Sequence, residues 1–185
     1  MVVKTKVAHS VSITHIKHNP LRISMHLLSG DHTNPIYIIV ENVRSLFNVG
    51  AIFRSADGVN ASGVYLTGFT GQPPRKEINR VALGADETVP YLYEQNTLTA
   101  IQYLKAQNVQ VIALEKTDTS VNFQTFDYQS PVAVVVGNEV EGVRPQTLDA
   151  CDHIVHLPMC GQKISLNVSV ASGIILYKLL QAVGH

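Results

Sequence analysis

Pro131-Val-Ala-Val-Val-Val-Gly137-Asn-Glu139-Val-Glu-Gly142 is the segment around which the chain is organised. Val132 to Val136 is a short, continuous run of β-branched and small apolar residues. Such a run, without polar alternation, reads as a parallel strand buried on both faces. It stops at Gly137, where the backbone can turn sharply or approach a ligand closely. In open α/β sheets, ligands sit at the carboxyl ends of strands. Two further segments share this character: the strand at Ile154 runs into Leu157-Pro-Met159 and on to Gly161, and Ser165-Leu-Asn167 opens the last helix. Three such ends can form one crevice.

Working upstream, the chain alternates strand and helix. Ile36 to Val40, Val64 to Leu66 and Val109 to Leu114 read as strands, with a further strand in Thr88 to Tyr93. Asn48 to Asn60 has helical spacing, with Val49, Ile52, Phe53 and Ala56 apolar and Arg54 and Asp57 polar. Ile78 to Leu83 is a short amphipathic piece, and Thr97 to Gln107 a helix. Thr117 to Tyr128 reads as a polar loop, and a helix from Ser165 to about Val183 closes the chain. This alternation predicts an α/β fold, a parallel sheet covered by helices on both faces.

At 185 residues one principal domain is expected, residues 35–185, preceded by an arm, residues 1–34. The arm holds Lys4, Lys6, Lys17 and Arg22 against Asp31, and five of the eight histidines. It reads equally as a solvated tail or as a weakly basic nucleic-acid contact. Overall, 15% of residues are charged and the net charge is +0, which argues against binding nucleic acid by bulk charge and leaves room for a local patch. Cys151 and Cys160 match no metal spacing and read as free thiols in a reducing interior. His153 and His156, three apart on a strand, point to opposite faces and make a poor chelate. No metal is expected. The lysines near the N-terminus have no apolar core behind them, and Val168 to Val183 is broken by Ser169, Ser172, Lys178 and Gln181. The expectation is a cytoplasmic protein with no membrane span.

Neither a Gly-x-Gly-x-x-Gly turn nor a Gly-Lys-Ser/Thr loop is present, and no Gly-x-Ser-x-Gly elbow marks a serine hydrolase. The residues alone reach a ligand-binding α/β domain with a polar cluster, Asn42, Arg44, Asn48 and Arg54, after the first strand.

Three blocks together resemble the SPOUT superfamily of knotted methyltransferases, in its SpoU or TrmH-like branch. The first is Asn42-Val-Arg-Ser-Leu-Phe-Asn48-Val-Gly-Ala-Ile-Phe-Arg54-Ser-Ala-Asp57. The second is Val136-Gly137-Asn-Glu139-Val-Glu-Gly142-Val. The third is Leu157-Pro-Met159, then Ile164-Ser165-Leu-Asn167-Val-Ser169-Val-Ala. The resemblance spans Ile36 to Leu180 and leaves the arm outside.

It implies a C-terminal trefoil knot, S-adenosylmethionine as cofactor, a homodimer, and methylation of a ribose 2′-hydroxyl in tRNA or rRNA. It further implies that Ala113, Leu114, Gly137, Leu157, Met159, Ser165 and Leu166 hold the cofactor. Asn48, Arg54, Glu139, Ser165 and Asn167 would surround the reaction, with Arg54 reaching the partner's cofactor. A guanidinium offers donors and no acceptor, so Arg54 is expected to clamp phosphate and ribose rather than act as a base. The alternatives are a non-catalytic RNA-binding or ribosome-assembly protein of the same fold, and a base-nitrogen methyltransferase of the same superfamily.

Overall fold

The computed structural model describes residues 33–184. Except for Thr33 and Asn34, the arm and its histidines lie outside the described residues.

Among the described residues seven strands form one sheet, and every pairing between them is parallel. They are β1 (Asn34–Glu41), β2 (Ala61–Thr67), β3 (Tyr91–Glu94), β4 (Gln110–Leu114), β5 (Val121–Asn122), β6 (Val132–Val136) and β7 (His153–His156), in the order β3-β2-β1-β6-β4-β7-β5. Helices cover both faces, as the alternation predicts. Ile36, Ile38 and Val40 face one core with α1 (Leu46–Gly58), α2 (Lys76–Ala82), α3 (Ala85–Thr88) and α6 (Val168–Ala182). Tyr37 and Ile39 face the other, with α4 (Thr97–Ala106) and α5 (Pro145–Ala150). Strand residues point alternately to the two sides, so a central strand must be apolar throughout. All five residues of β6 are buried.

The helix α1 forms because Val49, Ile52, Phe53 and Ala56 put one apolar stripe toward the sheet, and all four are fully buried. Ser45 caps it, its Oγ accepting the Asn48 N–H at 3.3 Å. Truncating Phe53 to Ala would open a cavity in this core, at a cost of about 3–5 kcal/mol.

Several boundaries differ from the sequence reading. Thr88, expected to start a strand, closes the helical turn α3 instead, because Gly84 (φ 94) restarts the chain there and Pro90 delays pairing until Tyr91. The polar loop contains the two-residue edge strand β5. The six-residue α5, with Pro145 in its first turn, is too short to show a period. The last helix begins at Val168, with Asn167 as its N-cap, so Ser165 lies in the preceding loop. After β7 the chain recrosses the sheet, and α6 packs against α1, β1 and β6. No helix among the described residues is long and apolar enough to cross a membrane.

Candidate active site

The adjacent strands β6, β4 and β7 all end on one edge. Their following loops enclose a crevice of about 570 Å³. Leu114 to Lys116 enter it from β4, Val136 to Val143 from β6, His156, Leu157 and Met159 from β7, and Ile164 to Leu166 from the approach to α6.

The loop after β6 is curled tightly. The Asn138 side-chain oxygen accepts the N–H groups of Val140 and Glu141, both at 2.8 Å, and the Gly142 N–H donates to the Asn138 carbonyl at 3.1 Å. Gly142 takes φ 68, the left-handed region that glycine enters without penalty. A methyl placed on Gly137 would overlap the backbone of Gly142 and Val143. Glu115 braces the loop from β4, its Oε2 accepting the Val143 N–H at 3.0 Å. The charged groups of the lining are Glu115, Lys116, Glu139 and Glu141.

One chain of side chains joins the three sequence blocks. The Asn48 amide donates to Glu139 Oε1 at 2.5 Å, across 91 positions of sequence. The Asn167 amide donates to Asn48 Oδ1 at 3.2 Å. The other end of Asn167, its Oδ1, accepts from the Ser169 N–H at 2.9 Å and the Ser169 hydroxyl at 2.6 Å. Asn167 thus caps α6 and holds Asn48 at once. The cap fixes its rotamer, and the fixed rotamer aims its amide at α1.

Of the residues expected to hold a cofactor, Leu114, Gly137, Leu157, Met159, Ser165 and Leu166 line the crevice. Ala113 does not; it is fully buried one residue behind Leu114, paired with Val135 and Ile154 on either side. Of those expected around the reaction, Asn48, Glu139 and Asn167 come together and Ser165 joins the lining. Arg54 stands apart, exposed on α1 and outside the residues that line the crevice.

Sequence reasoning missed Glu115 and Asn138, although both follow a strand end where ligand loops begin. It also missed Glu41 and Arg144, which pair at 2.8 Å and anchor the far end of the loop; no spacing rule links residues so distant. Among the described residues, no group of three or more His, Cys, Asp or Glu side chains is placed to hold a metal.

Fold and crevice define a parallel α/β domain with a ligand site at the strand ends, closed by its own last helix. The SpoU rRNA Methylase family model matches residues 35–177. A 23S rRNA (guanosine-2'-O-)-methyltransferase RlmB of Ralstonia nicotianae is 34% identical over 155 residues, covering 84% of this chain and 62% of that protein. A tRNA (guanosine(18)-2'-O)-methyltransferase of Aquifex aeolicus is 34% identical over 144 residues, covering 77% and 67%. The solved A. aeolicus TrmH/SpoU tRNA modifying enzyme superposes with a TM-score of 0.75 at 31% identity, over 84% of this chain and 79% of that one. An AdoMet-bound rRNA methyltransferase from Sinorhizobium meliloti gives 0.74 at 32%, over 79% and 56%. The chain belongs to the SpoU rRNA methylase family. It spans 62% of the length of the Ralstonia relative.

Proposed function

We propose that the protein transfers a methyl group from S-adenosylmethionine to the ribose 2′-hydroxyl of a tRNA or rRNA nucleotide. The observation that carries this is the Asn167–Asn48–Glu139 chain, which joins the first block to the crevice made by the other two. The crevice suits the cofactor. Leu114, Leu157, Met159 and Leu166 offer apolar surface for a ring, the Gly137 backbone is bare, and three carboxylates against one lysine favour a cationic sulfonium. Bound there, S-adenosylmethionine supplies an electrophilic methyl.

The protein must position a ribose hydroxyl and ease the loss of its proton. Glu139 fixes Asn48, and Asn167 fixes it from the other side, so the polar wall is rigid before RNA arrives. Ser165 adds a hydroxyl at the same rim. Arg54 clamps phosphate and ribose and stabilises the developing alkoxide.

Arg54 lies away from its own crevice, and this favours a homodimer in which it serves the partner's site. The exposed face of α6 supports that assembly: Val170, Ile174 and Tyr177 recur at helical spacing and remain 50%, 38% and 56% exposed. An RNA substrate and two unpaired thiols fit a cytoplasmic protein, and the return of α6 across the sheet fits the trefoil knot.

The test is tritiated methyl transfer to bulk tRNA and rRNA, followed by alkaline hydrolysis and mapping. A methylated 2′-oxygen cannot attack the adjacent phosphate, so one linkage should resist alkali. Label on a base in an alkali-sensitive strand, or no label at all, would overturn the reading.

A further inference from the structure

The loops after β1 and β2 present an exposed pair outside the crevice. Phe69 keeps 54% of its surface in water, and the exposed Arg44 holds its guanidinium carbon 5.5 Å from the centre of the Phe69 ring. A lone exposed apolar residue is ordinary, but the backbone on either side of this one is fixed by hydrogen bonds. The Phe69 N–H donates to Asn42 Oδ1 at 3.2 Å. The preceding carbonyl, of Gly68, accepts from the Tyr93 hydroxyl at 2.6 Å, and the Gly68 N–H donates to the Glu94 carbonyl at 3.2 Å. The following hydroxyl, of Thr70, donates to the Val40 carbonyl at 2.9 Å and accepts from the Val43 N–H at 3.0 Å. Asn42 and Thr70 are buried, and Asn42 takes φ 56, in the left-handed region that asparagine tolerates better than most residues. Two buried polar groups thus fix the backbone that carries the exposed Phe69 ring.

We propose that Phe69 and Arg44 form a stacking platform for an unpaired RNA base beside the nucleotide that is modified. The proposal rests on the RNA reading above. An aromatic face stacks any base, and an adjacent guanidinium adds charge for the flanking phosphate. Arg44 precedes Asn48 by four residues, so their Cα atoms lie at most about 14 Å apart. That separation suits a base close in the strand to the modified one. The net charge of +0 provides no general basic field, so RNA must be held by local contacts of this kind. Arg75 and Lys76, both exposed, continue the positive charge along the same loop into α2.

The experiment measures binding of fluorescein-labelled oligoadenylate, and of the same strand carrying abasic residues, to the full chain by anisotropy. Wild type is compared with Phe69→Leu, Phe69→Trp and Arg44→Ala. Phe69→Leu should weaken oligoadenylate binding about fivefold or more, while Phe69→Trp retains it. On the abasic strand, wild type and Phe69→Leu should bind alike. Arg44→Ala should lower the salt slope by about one counterion. Equal oligoadenylate binding by wild type and Phe69→Leu, an equal loss on the abasic strand, or no binding by wild type would each overturn the platform. Methyl transfer to bulk RNA by wild type tests the underlying reading separately: transfer with an unaffected Phe69→Leu rejects the platform alone, and absent transfer rejects the RNA reading.

Discussion

Arg144 grips Glu41 with its Nε at 2.9 Å and its Nη2 at 2.8 Å on one carboxylate oxygen, and its own backbone N–H reaches the other at 3.0 Å. Glu41 is fully buried at the end of β1, and Thr147 Oγ1 donates to it at 2.7 Å. The last strand residue is thereby tied to the exit of the crevice loop.

Glu41→Ala should destabilise the protein by about 3 kcal/mol, because breaking a buried pair leaves the other charge uncompensated. Arg144 is partly exposed, which sets the expectation at the lower end of the usual range. Urea unfolding checks this. A loss below about 1 kcal/mol would mean that Arg144 relaxes into water.

Gly137→Ala should weaken S-adenosylmethionine binding at least tenfold in calorimetry. The cause is the chain itself: a methyl there meets the backbone of Gly142 and Val143 and pushes the loop open. Gly137→Val should do the same more severely, by the same collision. Unchanged affinity in Gly137→Ala would show that the loop yields freely.

Arg54→Ala should leave cofactor affinity nearly unchanged and cut turnover by about a hundredfold, the scale for losing one preorganised electrostatic contact. Arg54→Lys should recover little, since an ammonium lacks the planar fork. Mixing Arg54→Ala with a cofactor-site variant such as Gly137→Ala should restore partial activity if the two residues serve one site from different protomers. Sedimentation should show a dimer at micromolar concentration.

Asp152 gives a pH dependence. Partial burial pushes its carboxyl up, but the Lys105 ammonium at 2.6 Å and the Val111 N–H at 2.8 Å outweigh this and hold it below the ordinary carboxylate value. A depressed folded-state value contributes stability above the unfolded value, near 3.9 on the usual scale, and loses it as pH falls through the folded one. Asp152→Asn should therefore be less stable than wild type at pH 7. The difference should close below about pH 4 in denaturant titrations at several pH values.

The two thiols should separate in alkylation. Burial pushes the Cys151 thiol up to about 12, with Asp152 adding to the rise, so it stays protonated and shielded near neutrality. Cys160 is exposed. One equivalent of reagent should add quickly at pH 8, at Cys160, and the second only on unfolding.

Central strands were legible because burial on both faces forces an unbroken apolar run, as in β1, β4 and β6. The helix α1 was legible from its stripe and misplaced only at its ends: it runs from Leu46 to Gly58, capped by Ser45, rather than from Asn48 to Asn60. What escaped has no period to read. β5 is two residues long and α5 is six, and each exists through contacts made elsewhere. In the site, the strand-end rule pointed to Gly137 and to the loop from Pro158 to Gly161, and family resemblance supplied Leu157, Asn48 and Asn167 as site residues. Neither could reveal that Asn167 acts as cap and bridge together, because that depends on the angle at which α6 meets α1. Ala113, which the resemblance placed beside the cofactor, is buried within β4, and the crevice lining begins at its neighbour Leu114.

The strand order bears on how the chain acquires its shape. β1 meets β2 early, yet its other neighbour is β6, so Ile38 waits for Val134 before both its edges are satisfied. Until then a growing chain carries two partial sheets with open apolar margins. Distant pairing of this kind slows folding and leaves such intermediates prone to aggregate. The crevice is finished only when α6, the last described element, settles against α1. During synthesis the protein should pass through a long interval in which its core is half built and its binding site does not yet exist.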